Sequence, residues 1–198
     1  ADAPLPAEPV PLAPGPVRTL SEWEGKRRLA AHGVTVPEGR LAWSAEEAVA
    51  AAGAIGFPVV LKAAGADLAH KTELGAVRLN LADAAAVRDA AVALKGLGDA
   101  LLVERMVAGA VAELIVGIGR DKLLGLHLVL GSGGTLVELV GDRRILLLPA
   151  GRAEVAAAIR SLKVARLLDG HRGRPPGDLH AAVDAMLAVC LLYTSPSP

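Results

Sequence analysis

Aromatic residues are nearly absent: two Trp, one Tyr and one Phe make up 2% of 198 residues. The apolar content of 53% is therefore carried mainly by Ala, Val and Leu, and local Ala-rich helices say little about chemistry. Cysteine occurs once, at Cys190. That excludes an intrachain disulfide framework and suits a reducing cytosol. It also leaves no Cys/His cluster of zinc spacing, and no GxSxG nucleophile elbow is present. Net charge is missing too. Lys and Arg number 21 against 21 Asp and Glu, a balance of +0, so no global field favours nucleic acid or an anionic membrane. No apolar run reaches the roughly 20 residues needed to span a bilayer. The first residues lack the charged and apolar regions of a signal peptide. The expectation is a soluble, cytoplasmic protein with neither nucleic acid nor membrane as partner.

What is present reads as an α+β layout without a repeat of fixed period. Residues 1–18 are Pro- and Ala-rich and aperiodic, an extended linker that suggests something preceded it. Ser21 with Glu24, and Ser44 with Glu47, are capping-box patterns that open helices closed by Gly33 and Gly56. Val34–Pro37 reads as a short extended segment. Strand character appears at Phe57–Ala63 and Ala76–Leu81, and Asp83 caps a further helix stopped by Gly96. A second block opens near Ala100, with strands expected at Ala100–Met106, Ala112–Gly119, Leu124–Gly131, Thr135–Val140 and Arg144–Leu148. Helices follow at about 153–162 and 178–190. The organisation expected is a linker over 1–18, a first lobe over 19–98, a second over 99–190, and a disordered or foreign tail over 191–198. Both lobes are mainly antiparallel sheet with packed helices.

The stretch Phe57–Leu81 organises the rest. Period two puts Phe57, Val59 and Leu61 on one strand face and Val60 and Lys62 on the other. In the partner strand Val77, Leu79 and Leu81 share a face opposite Arg78 and Asn80. The loop between carries His70, Lys71, Thr72 and Glu73, bracketed by Gly65 and Gly75. Two cation-bearing strands joined by such a loop suggest an anion held over a sheet. Lys62 follows three apolar residues; an unpaired buried ammonium costs several kcal/mol, so it snorkels at an edge, meets a carboxylate, or meets a ligand anion. The loop is either an ordinary polar connection or a phosphate site, for which it has backbone N–H groups, a hydroxyl and cations. A neutral His70 could also accept a phosphoryl group.

Two strand carboxylates stand out. Glu104 shares a face with Leu102 and Met106, and Glu113 lies opposite Leu114, Val116 and Ile118. Each is either solvated or paired, Glu104 with Arg105 or Arg78, or else faces a cleft where it holds a ribose hydroxyl or an adenine amine. Gly131-Ser132-Gly133-Gly134 has neither the GK[ST] ending of a P-loop nor a following helix, and reads as a hairpin turn. Glu138 and Asp142 follow it.

Taken in order, these pieces resemble the ATP-grasp domain, beta-subunit type, of the ADP-forming acyl-CoA (acetyl-CoA) synthetases. The resemblance rests on Glu24-Gly25-Lys26, FPVVLK at 57–62, HKTELGAVRLNL at 70–81, ELIVG at 113–117, GSGGTLVE at 131–138 and LDGHRG at 168–173. It covers roughly residues 20–190. It implies a nucleotide clamped in a cleft between two α+β lobes, and the reaction of acid, CoA and ATP to acyl-CoA, ADP and phosphate through a phosphohistidine. On this chain it implies that Lys62 binds the nucleotide phosphates and that the loop of His70, Lys71, Thr72 and Gly75 covers them. Lys26 lies near the nucleotide. Glu104, with the backbone through Met106, sits at adenine and ribose, and Glu113 closes that pocket. His70 is the implied phosphoryl relay, supported by Glu138. The implied cofactors are ATP/ADP and Mg²⁺, and the implied partner is a CoA-binding and ligase domain or subunit. An alternative is a regulatory or degenerate nucleotide-binding module attached to a protein acetyltransferase.

The sequence departs from the family at Glu73, where Asp is usual, and at Gly75-Ala76, where Gly-Gly is usual. An Ala there restricts close approach to phosphate. The family's Glu-x-Asp-x-Asn-Pro strand and a following Asp supply the Mg²⁺ ligands, and this chain stops before them. No metal ligand is therefore expected within it. By itself it is expected to bind nucleotide weakly at best and to turn over poorly.

Overall fold

The computed structural model describes residues 19–65, 75–134, 141–171 and 173–194. The expected linker over 1–18 and strand Thr135–Val140 lie outside the described residues. So do His70, Lys71, Thr72, Glu73 and Glu138.

The capping residues act where the sequence places them. Ser21 Oγ accepts from the Glu24 N–H at 3.2 Å while Glu24 Oε2 accepts from the Ser21 N–H at 3.0 Å. This reciprocal pair opens α1, Glu22–Ala31. Gly33, at φ 85°, ends it. Ser44 Oγ caps α2, Ala45–Ile55, and the Asp83 carboxylate caps α3, Ala84–Leu94.

The described residues form two compact units: residues 19–28 with 36–108, and residues 29–35 with 109–194. The first carries β1 (Gly39–Ala42), β2 (Val59–Ala64), β3 (Val77–Leu81) and β4 (Ala100–Arg105), all antiparallel, in the order β1-β4-β2-β3. The sequence assigns Ala100–Met106 to the second block; the structure corrects this. β4 is hydrogen-bonded to both β1 and β2, and Leu101–Glu104 are all buried, as a central strand requires. The first unit therefore runs to 108 rather than 98. Residues 34–38 carry no regular structure and lead into a strand at Gly39–Ala42 that the sequence does not announce.

Helices α2 and α3 cover one face of this sheet. Ala48, Ala51, Ala52 and Ile55 of α2 and Val87, Ala90, Ala91 and Leu94 of α3 pack with Val59, Leu61, Leu101 and Val103. The alternation expected of β3 does not persist. Leu81 pairs with Val59 but Arg78 pairs with Leu61, so one extra residue is inserted. Asn80, at φ 55°, takes the left-handed conformation that Asn tolerates. Cross-strand partners share a face, so Arg78 lies on Leu61's side of the sheet and Val77 on that of Lys62. The picture of cations from both strands on one face is thereby corrected.

The second unit has β5 (Leu114–Asp121), β6 (Gly125–Ser132) and β7 (Arg143–Leu147), antiparallel and in sequence order. Helices α4 (Arg152–Arg160), α5 (Ala165–Leu168) and α6 (Leu179–Thr194) follow. Leu128 and Leu130 pack with Val155, Ile159, Val183, Met186 and Cys190. On the other face Ile115, Ile145 and Leu147 are roughly half-exposed. Residues 191–194, expected in a tail, continue α6.

Two glycine substitutions should move stability in opposite directions. A Cβ on Gly131 would meet the Asp142 carbonyl at 2.8 Å, so Gly131→Ala forces β6 and β7 apart and is expected to cost about 1–3 kcal/mol. Gly53, inside α2, has nothing within 4 Å of such a Cβ; Gly53→Ala should gain about 0.5–1 kcal/mol. Urea denaturation midpoints of the two variants test both.

Candidate functional site

Lys62 leaves β2 on the face away from the helix-covered core, beside Val60. The register pairs Val60 with Glu104 and Lys62 with Leu102, which makes Lys62 and Glu104 diagonal neighbours on that face. On β1, opposite Glu104, stands Gly39; a Cβ there would come within 3.2 Å of Glu104 Cγ, so the glycine clears the carboxylate's path. Helix α1 brings Glu22 and Lys26, one turn apart, to the same point.

These four side chains close a ring of alternating charge. Lys62 Nζ lies 2.5 Å from Glu22 Oε1 and 2.8 Å from Glu104 Oε2. Lys26 Nζ lies 2.8 Å from Glu22 Oε1 and bonds Glu104 Oε1. The Glu104 side chain is 4% exposed, Glu22 26%, and each lysine 20%. Of the three fates open to Lys62, pairing with carboxylates is the one the described residues show.

The pairing controls protonation. Burial by itself would raise the Glu22 carboxyl, but hydrogen bonds and attraction from Lys26 and Lys62 pull it from 4.5 down to about 2. Burial would likewise lower the Lys62 ammonium, but Glu104 and Glu22 hold it above its ordinary value. Lys62 thus stays charged across the physiological range.

The other expected residues divide. Lys26, Lys62 and Glu104 meet at this point. The Met106 N–H is already donated to the Pro58 carbonyl at 3.1 Å. Gly75, at φ 64°, precedes a fully buried Ala76 whose carbonyl accepts from the Ala63 N–H at 2.9 Å, so that methyl belongs to packed strand. Glu113 belongs to the second unit and is exposed. Its carbonyl accepts from the Gly133 N–H at 2.7 Å, and a Cβ on Gly133 would crowd its backbone at 3.0 Å. Glu22 is the residue that sequence reasoning missed, although its i,i+4 spacing to Lys26 is a visible signal.

Asp142 is a second buried carboxylate to which the sequence assigns no role. Ser132 Oγ and the Lys163 N–H donate to its Oδ2 at 2.5 and 2.6 Å. Burial would raise its carboxyl, yet these hydrogen bonds, with the Val164 N–H and Arg144, hold it below the ordinary value. It ties the end of β6 to the turn before α5.

Among the described residues no group of three or more His, Cys, Asp or Glu is arranged to hold a metal ion. The two carboxylates of the ring are taken by ammonium groups, so the described residues do not fit Mg²⁺. No helix among them is long and apolar enough to cross a membrane. A concavity of about 340 Å³ beside Trp43, Glu46, Lys95 and Asp99 contains none of the ring residues.

The depressed Glu22 carboxyl stabilises the fold fully above pH 4.5, and that contribution disappears as pH falls through about 2. Its size is on the order of 3 kcal/mol. Glu22→Gln should therefore flatten the loss of urea stability between about pH 4.5 and 2, as read from denaturation midpoints across that window.

Comparison with known proteins places the chain in a family. A family profile described as ATP-grasp domain matches residues 14–195. The chain is 34% identical over 177 residues to acetate–CoA ligase [ADP-forming] I of Archaeoglobus fulgidus, covering 85% of this chain but 26% of that protein. It thus spans about a quarter of that relative's length. Against acetate–CoA ligase [ADP-forming] I subunit beta of Pyrococcus furiosus it is 33% identical over 181 residues, covering 87% of this chain and 78% of the subunit. Among solved structures, Ca. Korarchaeum cryptofilum dinucleotide forming acetyl-coenzyme A synthetase 1, in complex with coenzyme A, Ca-AMPCP and HgCl+, superposes with a TM-score of 0.80 at 34% identity. That match covers 88% of this chain and 80% of that one. The α+β expectation and the resemblance read from the motifs are borne out: the chain belongs to the ATP-grasp domain family, in the branch it shares with the beta subunits of ADP-forming acetate–CoA ligases.

Proposed function

We propose that this chain is the nucleotide-binding part of an acid–thiol ligase that makes acyl-CoA from acid, CoA and ATP, releasing ADP and phosphate. The observation that carries the reading is the convergence of Lys62 and Lys26 at one point on the sheet face away from α2 and α3. Two ammonium groups a few ångströms apart suit the anionic, non-bridging oxygens of a polyphosphate. The ligases among the relatives support this reading over an acetyltransferase-linked module. So does a further relative, 4-hydroxybutyrate–CoA ligase [ADP-forming] of Nitrosopumilus maritimus, at 37% identity.

In this reading Lys62 and Lys26 hold nucleotide phosphates, and Lys71, Thr72 and Gly75 belong to the loop over them. Glu104 and the backbone at Met106 lie toward the ribose and adenine, and Glu113 helps close that pocket. His70 relays the phosphoryl group, supported by Glu138. A K. cryptofilum structure with Mg-AMPPCP has its phosphohistidine segment pointing towards the nucleotide binding site, which supports a partner histidine as the donor or acceptor. That partner is a CoA-binding and ligase subunit or domain. Mg²⁺ enters only as the ion accompanying nucleotide there. A cytoplasmic location suits the reading, because ATP and CoA are held in that compartment.

Lys62→Ala should weaken ATP binding at least about tenfold, since a charge-assisted phosphate contact is worth more than about 1.4 kcal/mol. Calorimetry giving equal affinity refutes the phosphate contact. With the chain in its full-length enzyme, His70→Ala should abolish phosphoryl exchange; undiminished exchange removes His70 from the relay.

A further inference from the structure

Among the described residues, the two lysines assigned to phosphate already share two carboxylates. A phosphate approaching this ring meets ammonium groups that are already paired. It gains its contacts by taking the place of a carboxylate.

The two carboxylates are not equivalent. Glu104 stands on the central strand, 4% exposed, and spends its oxygens separately, Oε1 on Lys26 and Oε2 on Lys62. Withdrawing it would strand a charge among buried strands. Glu22 stands in the first turn of α1, 26% exposed, and a single oxygen, Oε1, touches both lysines. One rotation of this side chain would withdraw the carboxylate oxygen that both ammonium groups share, leaving each its bond to Glu104.

We infer that Glu22 is an internal stand-in for phosphate, displaced when the nucleotide binds, and that it determines how strongly the site favours ligands with more phosphate charge. This inference rests on the reading of Lys62 and Lys26 as phosphate ligands. While Glu22 is in place, singly charged anions and carboxylates compete on poor terms, since each must win both ammonium groups from an anion tethered beside them. A chain of phosphates, with several oxygens and a higher charge, displaces it. Glu104 remains behind, fixing the lysines' directions.

The test measures dissociation constants for ATP, ADP, AMP and adenosine by ligand-observed NMR, which reaches millimolar affinities. The proteins compared are the unaltered chain, Lys62→Ala, Glu22→Gln and Glu22→Asp. Glu22→Gln should tighten ATP about tenfold by removing the competing charge, with a smaller gain for ADP, less for AMP and none for adenosine. Glu22→Asp, which keeps the charge but draws it back by one methylene, should fall between. Acid in the first helical turn is retained in it, so it guards against a variant that merely misfolds. If Lys62→Ala weakens ATP while both Glu22 variants leave it unchanged or weaken all four ligands equally, Glu22 is only structural and the inference fails. If Lys62→Ala leaves ATP affinity unchanged, or no protein binds ATP, the nucleotide reading itself fails.

Discussion

Two ammonium groups and two carboxylates meet on one face of a four-stranded sheet, and the first unit is arranged so that they can. A lysine on a strand flanked by buried residues is tolerable only with a partner, because the desolvation of an isolated charge exceeds what neighbouring dipoles return. Here each lysine has two partners, drawn from different elements. β4 must lie beside β2 to present Glu104, Gly39 must lack a side chain to let that carboxylate pass, and α1 must start at Ser21 to bring Glu22 and Lys26 round together. The opposite face of the same sheet is apolar and covered by α2 and α3. One sheet thus separates the apolar packing that holds the unit together from the ring of charges.

The second unit follows a related division with different means. Its helix-covered face is a Leu, Val and Ile core, and its other face is left open. Its polar fixing point is Asp142, whose carboxylate is satisfied by Ser132 and by backbone N–H groups rather than by a lysine. That is a structural use of a buried charge, with the exposed Arg144 guanidinium 3.9 Å from its Oδ1. In the first unit the partners are charged side chains brought together by α1, β2 and β4.

Much of this is legible in the sequence because local rules suffice for it. Capping residues, alternation in β2 and the helical spacing of α2 each depend on near neighbours. Lys62, Lys26 and Glu104 are legible as candidates through the motif order. What escapes depends on distant partners. Nothing local shows that β4 inserts between β1 and β2, so the sequence misplaces it in the second block. The extra residue at Asn80 reverses the faces of β3, and a period-two pattern cannot register an insertion before the pairing is known. Glu22 is hidden because its neighbour Glu24 accounts for the helix cap; only the fold shows that the other acid points at two lysines. His70 and Glu138 lie outside the described residues, and their roles stand as proposals.

The most direct measurement is a crystal structure of the chain with a non-hydrolysable ATP analogue. The account predicts phosphate oxygens within hydrogen-bond distance of Lys62 Nζ and Lys26 Nζ, Glu104 still bonded to both lysines, and the Glu22 carboxylate turned away from them. An analogue bound elsewhere, or phosphates at the lysines with Glu22 still bridging them, would contradict it.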